Sequence, residues 1–232
     1  MMMKRYYYLL LVAMLYCSMG FVTSCATDDL NTAEQFEKEM DEAMADARKY
    51  GPHTQAFAVE IANRYQGLVT DINYKTRESA TRKCRTDNCN PYDLKDLARP
   101  TIVAGWDSME IKPVIQDLNR TATERGFFGR YKHQTSDYGY WGDITNLKYD
   151  KLMTEIQVKT YRMFYASQEE SIARGVLGDE IYNFIHTKSG EEPGLSHYYY
   201  EIMRADTSSA ATVEKYKQLA IKYHARFEHL KD

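Results

Sequence analysis

The chain is poor in residues that break helices, with five prolines and twelve glycines among 232 residues. No GxSxG, HExxH, P-loop or GxGxxG pattern occurs. The local signatures of serine hydrolases, zinc proteases, P-loop nucleotidases and dinucleotide enzymes are therefore missing. No second apolar run follows the one at residues 6–22, so nothing further along is long enough to span a bilayer. An excess of positive charge is also lacking. The net charge is −3, and binding to a phosphate backbone needs a basic footprint, so nucleic acid is not an expected partner. Histidines are scattered. His224 and Glu228 stand one turn apart without a third ligand, and the Glu-x-x-His pairs of di-iron bundles are absent, so neither metal nor cofactor is expected.

What is present suits a folded body. Charged residues make up 27% and hydrophobic ones 44%, and the length is ample for a core. Tyrosine is frequent, with 20 copies.

Residues 1–5 (MMMKR) are positive and residues 6–22 apolar, followed by Val22-Thr23-Ser24-Cys25. A basic start, an apolar stretch and small residues before a cut form the secretory pattern. The last four residues resemble the lipobox of bacterial lipoproteins. That resemblance implies residues 1–24 as signal peptide, 25–31 as a lipidated tether, and anchorage to a membrane through lipid on Cys25. Two or more acyl chains hold a protein stably, where one does so only marginally. Asp28-Asp29 resembles the surface-export signal of Bacteroidota lipoproteins, which implies the outer membrane of the cell envelope and leaves its face open. Asp107-Ser108-Met109 is similar to the short O-glycosylation motif of exported proteins of that group.

Cys84 and Cys89 remain after Cys25. In an oxidising compartment, with Asp87 and Asn88 suited to a turn between them, a disulfide is the expected state. A metal pair or a reactive thiol is the alternative.

The rest reads as helix. Phe36, Met40, Met44 and Ala47 share a face before Gly51-Pro52. Phe57, Ile61, Tyr65, Leu68 and Ile72 mark a second helix over 53–82, making a hairpin with the first. Residues 108–124 are helical. Tyr149, Leu152, Ile156 and Met163 suggest a helix over 146–165. Ser167 to Glu170 forms a capping box opening another, which Ser189-Gly190 stops. Short and long helices follow over 196–204 and 209–230. The expected fold is an all-α helical bundle of about six helices built on antiparallel hairpins, in one domain over 32–232.

The segment GFFGRYKHQTSDYGYWG (126–142) has no period and reads as a loop. It holds Phe127, Phe128, Tyr131, Tyr138, Tyr140 and Trp141 around Arg130. Such rings either plug the loop onto the bundle or meet a sugar or a partner protein. No catalytic constellation is visible. The leading expectation is a non-catalytic envelope lipoprotein binding a partner protein, as an assembly subunit, adaptor or immunity factor. A surface glycan-binding lipoprotein using the aromatic loop is the second reading, and an enzyme acting on envelope glycan the third.

Overall fold

Two stretches that read as helix or loop in the sequence are strands. In the computed structural model, β5 (Phe128–Thr135), β6 (Trp141–Tyr149) and β7 (Leu152–Lys159) form an antiparallel meander. They follow α1 (Met3–Asn63), β1 (Leu68–Val69), β2 (Asn73–Tyr74), α2 (Arg77–Asp87), β3 (Ala98–Arg99), β4 (Thr101–Val103) and α3 (Ser108–Glu124). Four helices close the order: α4 (Tyr161–Ser167), α5 (Glu170–Ser189), α6 (Leu195–Met203) and α7 (Ala210–Ala225). The structure describes residues 32–205, 207–228 and 230 with their side chains. The expected signal peptide 1–24, the lipobox-like stretch ending at Cys25 and the expected tether 25–31 lie outside the described residues.

The main sheet has five strands in the order β1-β4-β7-β6-β5. Strand β7 is central, parallel to β4 and antiparallel to β6. The expected all-α bundle on antiparallel hairpins is thus overturned, and the fold is α+β around a mixed sheet. The physical reason lies in β7. Its polar–apolar alternation is confined to Glu155–Lys159, and Leu152-Met153-Thr154 before it breaks the pattern, so the run is too short to stand out. Leu152, Thr154, Glu155, Ile156, Val158 and Lys159 are all buried. Tyr149, Leu152, Ile156 and Met163 therefore imitate a helical stripe, while the chain actually turns at Asp150, whose φ is 52°.

The first hairpin is corrected as well. Helix α1 runs through Pro52 to Asn63. Gly51 is there for clearance, because a Cβ would collide with Tyr74 and Ile72. The expected helix over 53–82 divides into the end of α1, strands β1 and β2, and α2. Thr76 caps α2 by accepting from Ser79 N at 3.2 Å. Helix α3 stands where the sequence places it, and Asp107 caps it by accepting from Met109 N and Glu110 N at 2.8 and 3.1 Å. Helix α5 stops at Gly190, which is left-handed with φ 66°.

Each sheet face has its own covering. Ile102, Leu147, Ile156 and Val158 pack with Phe57, Ile61, Ile111 and Leu118 of α1 and α3. A second cluster joins Val103 to Phe164, Tyr165, Tyr182, Tyr223 and Phe227 of α4, α5 and the C-terminal region. Ile156 is wholly buried in the first. Ile156→Ala is expected to lower unfolding free energy by about 2–5 kcal/mol, read as a fall in the urea midpoint with unchanged slope.

Candidate functional site

Side chains alternate along β7, so Ile156 and Val158 enter the helix-covered core while Glu155, Gln157 and Lys159 share the opposite face. Neighbouring strands extend that face. Asn146 of β6 is in register with Glu155, and Thr101 of β4 with Gln157. Arg99 of β3 brings its guanidinium to 3.9 Å from Glu155 Oε1. Gln157 Nε2 donates to the same carboxylate at 2.8 Å.

Asp96 lies just before β3, where two lysines converge on it. Lys75 Nζ is 2.9 Å from Oδ2 and Lys83 Nζ 3.1 Å from Oδ1. Both placements are local consequences of sequence. Lys75 N donates to Leu97 O at 3.0 Å, continuing the β2–β3 ladder, and Lys83 lies two turns along α2. Lys159 closes the cluster. Its Nζ donates to Ser167 Oγ at 2.9 Å and stands 5.4 Å from the ring centroid of Tyr140. Ser167 does not cap α5 as its sequence suggests, because Glu169 holds the N-cap position.

Burial acts differently on the ionisable groups. Desolvation pushes Asp96 up, but the Lys75 and Lys83 ammoniums overcome it and hold the carboxyl below its ordinary range. Desolvation raises Glu155 against the pull of Arg99, and nearby Asp96 raises it further. Lys159 is lowered to about 7, first by burial and then by Arg99. Two carboxyl groups in one site are thereby driven apart, one held ionised and one drawn toward the acid form. Lys75, Lys83, Arg99 and Lys159 outnumber the two acids, so the cluster favours a polyanion. Among the described residues no group of three or more His, Cys, Asp or Glu is placed to cage a metal. Asp96 and Glu155 nevertheless suit magnesium, which takes one or two carboxylates and completes its shell with water and phosphate oxygens.

The aromatic segment is not a loop, and its rings do not form one platform. Phe127 packs edge-on against Phe57 at 5.0 Å, and Trp141 also lies against the α1–α3 core. Phe128 is exposed at the start of β5. Arg130 Nε donates to Asn146 Oδ1 at 2.8 Å, and Tyr131 donates to Asp143 Oδ1 at 2.6 Å. Tyr138 and Tyr140 belong to the β5–β6 turn, and Tyr140 alone of the set borders Lys159. Cys84 and Cys89 lie side by side, with their sulfurs 3.1 Å apart. His224 turns inward, with Nε2 3.0 Å from Ser196 Oγ.

Sequence reasoning missed Lys75, Lys83, Asp96, Arg99, Glu155, Gln157 and Lys159. One signal was available: charged residues two apart in Glu155-Ile-Gln-Val-Lys159 share one face only in a strand. A shallow groove of about 700 Å³ lies elsewhere, lined by Glu37, Arg77, Arg82 and Arg85. Arg77 is already paired there with Glu37 and Asp41.

No protein-family model matches the chain. It is 33% identical over 152 residues, 64% of its length, to the (p)ppApp synthetase toxin Tas1 of Pseudomonas aeruginosa strain UCBPP-PA14. The chain spans about a third of that relative's length. Its fold is similar to a chain in the crystal structure of the complex between the Type VI effector Tas1 and its immunity protein. The TM-score is 0.65 at 26% identity, covering 82% of this chain and 96% of that one. Small alarmone synthetase 1 from Bacillus subtilis, bound to its product pppGpp, aligns at TM-score 0.48 and 14% identity over 82% of this chain and 94% of that one. The two likenesses to Tas1, with the mixed sheet, correct the picture of an all-α lipoprotein: the chain is similar to an α+β synthetase toxin.

Because Lys159 has a folded pKa below its unfolded one, the unfolded chain binds the extra proton between about pH 7 and pH 10. The wild type should gain stability relative to Lys159→Met as pH rises through that window and lose it as pH falls. Urea titrations of both proteins at pH 7, 8 and 9 check this. A difference independent of pH would show that Lys159 is charged throughout.

Proposed function

We propose that the chain transfers a pyrophosphate group from ATP to an adenosine nucleotide, giving a product of the (p)ppApp class. The observation that carries this is the surplus of lysine and arginine around two carboxylates of opposed ionisation, with the Tyr140 ring at its edge. The likeness to a (p)ppApp synthetase toxin supports it.

A hydroxyl oxygen of the acceptor bonds to the β-phosphorus of ATP. The bond from that phosphorus to the oxygen bridging it to the α-phosphate breaks, and AMP departs. Catalysis of such a transfer is mostly positioning and charge neutralisation. Lys75, Lys83 and Arg99 supply donors to the phosphates. Glu155 takes the hydroxyl proton, a role suited by its raised affinity for one. Asp96, kept ionised, is the principal carboxylate toward magnesium, which when bound neutralises charge on the phosphates. Tyr140 offers a flat face to a purine base.

A protein partner belongs to the same reading. The matched structure is that of an effector held by its immunity protein, which supports this chain as the toxin of such a pair rather than as an adaptor or immunity factor.

Incubation of the purified chain with ATP and ADP, resolved by anion-exchange chromatography, tests the reaction. A new nucleotide carrying added phosphate and an equal amount of AMP are expected. Glu155→Gln and Asp96→Asn should each slow its formation about 100-fold. No new nucleotide, or full activity in both variants, would overturn the proposal. Tyr140→Ala should raise the acceptor KM about tenfold or more, the worth of a stacked base. An unchanged acceptor KM in steady-state rates would remove Tyr140 from the base site.

A further inference from the structure

The turn that carries Tyr140 rests on α7. Gly139 has φ +94°, and a Cβ there would stand 2.7 Å from the Cβ of His224, so the turn's backbone lies directly on that residue. His224 is only 2% exposed. The rings of Tyr138 and Tyr140 flank it, each with its centroid 6.4 Å away. Its Nε2 bonds Ser196 of α6, while Nδ1 is buried without a hydrogen-bond partner among the described residues. Two turns back on the same face of α7, Lys217 pairs with Asp137 of the turn. Inside the turn, Ser136 N donates to Tyr140 O at 2.9 Å and Tyr140 N to Ser136 Oγ at 3.0 Å. The turn is therefore closed from within by Ser136 and clamped from outside by α7, with Tyr140 lying close both to His224 and to Lys159 of the charged site.

We infer that Lys217 and His224 are positioning residues for the acceptor nucleotide: they latch the 136–140 turn and so set the gap between the Tyr140 ring and the charged face of β7. This rests on the proposed transfer reaction. The five strands of the sheet are all in place before α4 begins, so α7 is not needed to complete it. Its contact with the turn is instead a means of fixing one aromatic ring.

The test uses the full chain, with initial rates over a grid of ATP and ADP. Lys217→Glu should raise the acceptor KM about twofold to fivefold, the range of a solvent-exposed ion pair. The KM for ATP and kcat should stay within about twofold. Combining it with Asp137→Lys should restore the acceptor KM. His224→Ala should raise it about tenfold. Hydrogen exchange of amides 136–142 on the same proteins should quicken in Lys217→Glu and return in the double variant. An unchanged acceptor KM in both single variants, or equal losses for both substrates with falling kcat, would overturn the assignment. If the wild type transfers nothing, the reaction itself is overturned, and with it the acceptor role. Exchange in the turn then decides the latch separately: unchanged exchange in Lys217→Glu shows that there is none.

Discussion

The two-residue alternation of β7 is the constraint on which the rest depends. One set of its side chains, Ile156 and Val158, is fully buried against α1 and α3. The other set, Glu155, Gln157 and Lys159, is fixed by the same backbone on the opposite face. A shift of one residue in register would put the charges in the core and the aliphatics in the site. The pairing with β4 on one side and β6 on the other prevents that shift. Stability and chemistry thus share one structural device, and the hydrophobic free energy of the first set holds the second in a desolvated position.

That desolvation gives the site its character. Burial alone would neutralise every ionisable group it covers. Asp96 escapes because two lysines bond it, whereas Glu155 has only the more distant Arg99 and the Gln157 amide. The asymmetry between the two acids thus follows from their partners, added to the deeper burial of Glu155. Lys159, with a serine hydroxyl and the Tyr140 ring for neighbours, is drawn toward neutrality. Negative charge brought to such a cluster would favour the protonated lysine.

The sequence displayed some of this and concealed the rest. Helices with one covered face were legible: 108–124 is α3, and the stop at Gly190 follows from a left-handed glycine, whereas α7 ends at Ala225, short of the expected 230. The sheet was concealed because the alternation in β7 spans only Glu155–Lys159, and because Thr145, Asn146, Thr154, Glu155 and Lys159 are polar yet buried. The site was concealed for a related reason. Lys75, Asp96 and Glu155 are far apart in sequence and meet only through strand pairing. The unity of the aromatic segment was an artefact of sequence: strands β5 and β6 send its rings to different faces, and of those rings Tyr140 borders the charged cluster. The left-handed Asn88 folds Cys84 and Cys89 toward each other, with their sulfurs 3.1 Å apart.

A crystal structure of the chain grown with a non-hydrolysable ATP analogue and magnesium tests whether the charged face of β7 receives nucleotide phosphates. Triphosphate density within hydrogen-bond reach of Lys75, Lys83 and Arg99, with the metal against Asp96, is the expected result. A nucleotide bound elsewhere, or a site still closed by its own ion pairs at millimolar analogue, would contradict it.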